Sequence, residues 1–131
     1  MPWLKIYEKE ETEFPEFYRF FITKKTALSI VKKLSRYFEI SEPHLEWVKR
    51  KGHGEYFWGH KRIELPITEM CSLGLLLHEF SHHYSWIKYH KDGHRQVFWN
   101  CLHRVYRIAK EKNFLALGSF REKQVRCYGV K

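Results

Sequence analysis

Residues 75–99 read LLLHEFSHHYSWIKYHKDGHRQVFW, a stretch that opens like a buried helix and carries five histidines. Ionisable groups placed directly after Leu75, Leu76 and Leu77 cost free energy unless something compensates them, and a bound metal is one such compensation. Positions i and i+4 of a helix point about 40° apart, so His78 and His82 project from adjacent turns of one face and can share one ion. Glu79 stands one step round the helix, where it cannot easily ligate the same ion but can reach a water held on it. That is the geometry of H-E-x-x-H with the glutamate as general base, read here as His78-Glu79-Phe80-Ser81-His82.

A catalytic zinc usually has three protein ligands and one open position, so a third ligand must come from elsewhere. The metzincin pattern needs Gly at 85 and His at 88. The chain has Ser85 and Lys88 there and no methionine downstream, which excludes that subclass. Three candidates remain: His90, His94 and Glu111. His90 lies about 120° round and about 18 Å along a straight helix from His78, out of reach unless the helix ends early. His94 is better placed, because the Asp92-Gly93 turn can fold the chain back and Phe98 can anchor the following turn in the core. His83 points about 100° away from His82 and reads as exposed, or as a support behind a ligand. Tyr84, Tyr89, His83 and Tyr106 are nearby candidates for stabilising an oxyanion.

Working outward, TKKTALSIVKKLSRYF from Thr23 spaces Ala27, Ile30, Val31, Leu34 and Phe38 as a helix, with Lys24, Lys32, Lys33 and Arg36 outward. After Ser41-Glu42-Pro43, the segment HLEWVKRK alternates Leu45 and Trp47 with polar residues, as a half-buried strand does. GHGEYFWGHKRIELP then predicts a hairpin or two short strands ending at Pro66. The apolar run from about Thr68 to Tyr89 predicts the helix that carries the motif. A further helix is expected from near His94, with Asp92 as its N-cap and Val97, Phe98, Cys101, Leu102, Val105, Ile108 and Ala109 as its core stripe.

The 131 residues fit one domain, residues 1–131, and 44% hydrophobic with 18% aromatic residues is ample material for a core. Three cysteines without a C-x-x-C spacing argue against a disulfide framework or a separate zinc ribbon. No apolar leader and no run long enough to span a membrane is found, so a cytoplasmic protein with no membrane partner is expected. The net charge of +9 is uneven: residues 1–22 carry three Lys/Arg against five Glu, leaving +11 on residues 23–131. Such a field attracts nucleic acid or acidic proteins, and it also serves solubility.

HEFSHHYSWIKYHKDGHRQVFW, with KRIELP before it and the amphipathic helix after it, resembles the SprT-like zinc metallopeptidases over about residues 60–110. In that family the H-E-x-x-H helix is followed by a turn, a third zinc-binding histidine and an aromatic residue. The resemblance implies an α+β, zincin-like fold in which a small antiparallel or mixed sheet packs on the active-site helix, flanked by further helices. It implies one Zn2+ per chain held by His78, His82 and His94, with Glu79 as catalytic acid/base. It differs from the family's common pattern in that Gly93 precedes the third histidine and only Cys127 remains where many members carry a cysteine-rich ribbon.

The expected activity is hydrolysis of peptide bonds in a protein or peptide substrate, with an edge strand ending near Leu65 pairing with the extended chain. The family's action on DNA-associated proteins implies DNA binding without sequence preference, and Lys49, Arg50, Lys51, Lys61 and Arg62 flank the expected sheet as its contacts. Two alternatives stand beside this: a zinc hydrolase acting on a non-peptide bond, and a basic nucleic-acid-binding module whose zinc is structural.

Overall fold

Thr23 marks the passage from strand to helix, and its side chain makes the boundary. The structure, a computed structural model, describes residues 13, 15–18, 20–49, 54–66, 70–114 and 119–120. A short helix α1 (Pro15–Tyr18) leads into β1 (Phe20–Thr23) and then α2 (Lys24–Phe38). Thr23 Oγ1 accepts from the Thr26 N–H at 3.1 Å, satisfying one of the orphan donors of the first turn. The buried stripe of α2 is Ala27, Ile30, Val31 and Leu34, as the spacing predicts. Glu39 closes the helix in the left-handed region, with φ 57°.

Two three-stranded sheets flank the motif helix. The first joins β2 (His44–Val48), β3 (Glu55–Phe57) and β4 (Arg62–Pro66) in the order β2-β4-β3, with β2 parallel and β3 antiparallel to β4. Its buried residues Leu45, Ile63 and Leu65 join the core. The hairpin and the strand at Leu45 are where the sequence puts them. The position of β4 is not: it is the central strand, paired on both sides, so the strand ending near Leu65 has no edge to offer. The outermost strand beside the motif helix is β3.

The second sheet was not legible in the sequence. It pairs β1 antiparallel with β5 (Met70–Ser72) and with β6 (Ser119–Phe120), in the order β5-β1-β6. Its strand β5 shortens the expected motif helix at the N-terminal end: α3 runs Leu73–Tyr89 rather than from about Thr68. Ser72 ends the strand and caps the helix, its Oγ accepting from the Leu75 N–H at 3.3 Å.

Helix α3 lies at the centre, in contact with both sheets, with α1 and α2, and most extensively with α4 (Gln96–Glu111). Gly74 permits the α1 contact, because a Cβ there would come 2.6 Å from the Tyr18 ring. The stripe Phe98, Cys101, Leu102, Val105, Ile108 and Ala109 on α4 is buried as expected, while Val97 is half-buried. Its start is not as expected: Arg95 occupies the N-cap position with no side-chain cap, and Asp92 lies outside the helix. The class is α+β, with a mixed sheet against the motif helix. No helix among the described residues is long and apolar enough to cross a membrane.

Candidate metal centre

His78 and His82 leave α3 one turn apart, and the segment 90–95 brings His94 back to face them. The reversal begins at His90, which ends α3 in the left-handed region with φ 56°, its N–H on Trp86 O at 2.9 Å. Gly93 adopts φ 80°, a conformation that costs glycine little and L side chains more. Ser85 secures the turn by donating from Oγ to Lys91 O at 3.0 Å.

The result is a converging triad. His94 Nε2 lies 3.1 Å from His82 Nε2 and 3.2 Å from His78 Nε2, and the three ligand atoms fall within 4.8 Å of one another. Tetrahedral zinc with Zn–N near 2.0–2.1 Å separates its nitrogens by about 3.3–3.4 Å, close to both distances from His94. A neutral ring nitrogen has one proton or one lone pair to offer, so His94 Nε2 cannot make two ordinary hydrogen bonds to both neighbours. Three lone pairs directed at one cation satisfy all three rings at once.

Phe98 supports the rings from below. It is buried, stacks on His82 with centroids 4.3 Å apart, and touches the rings of His78 and His94 at 5.0 and 4.9 Å. Burial, reinforced by the neighbouring His78 and His94, holds His82 well below its ordinary value of 6.5. Burial, and then His78, brings His94 down to about 4. Both histidines are therefore kept neutral at pH 7, the form that ligates a metal.

Glu79 is 2% exposed, and its Oε2 lies 4.0 Å from His78 Nε2. It faces a cleft of about 400 Å³ whose lining includes Gly54, Tyr56, Trp58, His78, Glu79, His82, Asp92, Gly93 and His94. Gly54 packs directly over the carboxylate's stem, since a Cβ at that position would sit 2.9 Å from Glu79 Cγ and 2.9 Å from Glu64 O. The sequence signal was present in the glycine preceding β3, which marks a close approach of backbone to a neighbour.

Of the other candidates, His90 is an exposed helix cap and Glu111 is exposed in the last turn of α4, about 22 Å along that helix from its start. Neither belongs to the triad. His83 is fully buried rather than exposed. Its Nε2 donates to Ser41 O at 2.7 Å, because a carbonyl can only accept, and its Nδ1 therefore accepts from the Tyr56 hydroxyl at 2.8 Å. Burial lowers His83 below its ordinary value, opposed by the Ser41 carbonyl and assisted by Lys61, and burial pushes Tyr56 up to about 12. The pair ties β3 to α3.

The proposed oxyanion candidates are otherwise engaged. Tyr84 and Tyr89 accept from Arg104 at 3.2 and 2.8 Å, and Tyr106 donates to Gly74 O at 3.5 Å in the core. None of these, nor His83, is among the cleft-lining residues; Tyr56 and Trp58 are. Among the basic residues assigned to DNA, Lys49 and Lys61 are exposed, whereas Arg50 and Lys51 lie outside the described residues. Arg62 is occupied: its Nε is 3.2 Å from Glu64 Oε2, and its guanidinium lies 4.6 Å over the Phe57 ring.

No protein-family model, no curated protein and no solved structure matches this chain. The triad, and its capacity to hold a metal ion, therefore rest on the geometry above.

Proposed function

We propose that the chain is a zinc-dependent metallopeptidase with a zincin-like site, in which His78, His82 and His94 hold the ion and Glu79 is the catalytic acid/base. The observation that carries this reading is that Glu79 shares one open cleft with the triad, its carboxylate oxygen 4.0 Å from His78 Nε2. A structural zinc site is closed by four ligands, whereas three histidines facing a cleft leave a position for water and substrate.

His78, His82 and His94 would hold the zinc, which would supply a water of lowered pKa, about 7, and polarise a carbonyl. Glu79 would take that water's proton as it attacks and return it to the leaving amine. Gly54 packs against the stem of that carboxylate, where a Cβ would lie 2.9 Å from Glu79 Cγ. Phe98 keeps the three imidazoles in register, and the strand β3 offers an outer backbone along which an extended chain can lie. The net charge of +9 and the exposed Lys49 and Lys61 support an acidic or nucleic-acid-bound partner. A fall in log K with log salt, at about −0.9 per contacted phosphate on duplex DNA, tests it.

The deciding experiment compares zinc-loaded wild type with Glu79→Gln on an unfolded protein. The expected outcome is one zinc in each, with cleavage lowered by roughly 10²–10⁴ in the variant, the usual contribution of a general base. Equal cleavage by both proteins refutes the reading.

A further inference from the structure

The ridge of α3 that bears the metal ligands does not end with them. His78, His82, Trp86 and His90 follow one another at intervals of four, so Trp86 continues the line of His78 and His82, about 6 Å further along the helix from His82. Across from it stands Trp58, in the turn between β3 and β4. That turn is held by the His60 N–H on Phe57 O at 3.1 Å and the Lys61 N–H on Trp58 O at 3.3 Å. The two indoles meet with centroids 4.5 Å apart and planes tilted by 36°. Trp86 is backed in turn by the His90 ring, nearly perpendicular to it with centroids 5.4 Å apart.

Trp58 is nevertheless 47% exposed, and it lines the same cleft as Glu79 and the three histidines. A large indole fixed on one side by a partner and open on the other, inside a cleft, is an apolar surface without an occupant in the fold itself. We propose that the Trp58–Trp86 pair is the subsite that selects substrates, by accepting an aromatic or large aliphatic side chain of an extended peptide.

The position of the pair fixes which substrate residue it reads. From Gly54, beside Glu79, the chain passes through β3 to Trp58, four residues on and about 13 Å away at 3.3 Å per residue. A substrate strand laid antiparallel to β3 has its N-terminal part toward Trp58. The recognised side chain thus lies two to four residues before the cleaved bond. An aromatic ring there gains stacking on an indole together with burial of its own apolar surface. A nucleic acid base could stack on the same indole, but Glu55 and Asp92 on the cleft lining repel a phosphate backbone and favour a peptide.

This inference rests on the peptidase reading, and one experiment separates the two. The zinc-loaded protein is given a mixed peptide library, and cleavage products are mapped by mass spectrometry. Phe, Tyr, Trp, Leu and Met should be enriched two to four residues before the cut. For a matched pair of peptides bearing Phe or Ala at that position, kcat/KM should favour Phe by about tenfold. Trp58→Ala should bring the ratio close to one, and Trp58→Phe should largely restore it, with thermal denaturation checking that both variants fold. Cleavage with no preference at those positions overturns the subsite alone, as does a preference for Lys or Arg, or a Phe-to-Ala ratio unchanged by Trp58→Ala. Absence of cleavage in every peptide by protein carrying one zinc overturns the peptidase reading and the subsite with it. Single-stranded oligonucleotide binding lost in Trp58→Ala, with the peptide ratio intact, assigns the indole to bases and also overturns it.

Discussion

The Phe98 ring lies stacked on that of His82, their centroids 4.3 Å apart and their planes 28° from parallel. Since the same ring also touches His78 and His94, a core residue sets the spacing of all three candidate ligands. Phe98→Ala should cost about 3–5 kcal/mol of stability, the usual range for an emptied aromatic core position. It should also weaken zinc binding beyond what Phe98→Leu does. Denaturant unfolding and chelator competition on the two variants check both parts.

The third ligand can be distinguished directly. His94→Ala should lower zinc affinity by at least about tenfold, whereas Glu111→Ala should leave it near wild type, because Glu111 sits at the far end of α4. Metal content after dialysis against a competing chelator provides the measurement, and the opposite ranking would move the ligand assignment to α4.

Acid should destabilise the metal-free protein, and the sign follows from the two lowered histidines. His94 in the folded chain titrates at about 4 and His82 well below 6.5, so between those values the unfolded chain binds more protons than the folded one. Stability therefore falls as pH drops through 6.5 toward 4, then levels off with respect to His94 below that value. Restoring zinc should raise stability across this window while keeping the same direction, because the ligating form is also the neutral one. Unfolding midpoints measured from pH 7.5 to 4, with and without metal, decide the matter. A flat metal-free profile contradicts it.

Gly54→Ala should act on Glu79 without touching a ligand. The new methyl meets both the Glu64 carbonyl and the Glu79 Cγ, each 2.9 Å away, and of the two the side chain yields more readily than the backbone. A displacement of about 1 Å in a catalytic group can cost on the order of 10²-fold in rate. Cleavage should therefore fall by one to two orders of magnitude while zinc stoichiometry is retained. Loss of the metal in this variant would mean that Gly54 supports the triad rather than the carboxylate.

The candidate site was legible in the sequence where its geometry is local. His78 and His82 are fixed by helical spacing, and His94 by a turn that Asp92-Gly93 announces. What escaped was everything contributed from a distance. Gly54, Tyr56 and Trp58 lie more than twenty residues before His82 and enter the cleft only through pairing of β3 with β4. His83 reads in the sequence as exposed or as a support behind a ligand, because its neighbour His82 occupies the cleft face, yet α3 is buried on several sides and its other faces carry partners as well. The sheet of β1, β5 and β6 was missed for a related reason: Phe20–Thr23 is too short to display a period. Met70-Cys71-Ser72 leads into the apolar start of α3 with the single Ser72 as the only polar residue between them, so strand and helix read as one run.

All three candidate ligands lie within the seventeen consecutive residues from His78 to His94. An ion bound there closes a short loop, and loop-closure entropy rises only slowly with length, so it constrains the rest of the chain little. What it clamps is the α3–α4 hairpin, whose opening and the release of metal become one event. Bound zinc should accordingly slow amide exchange in that hairpin selectively, while the β5-β1-β6 sheet continues to open on its own schedule.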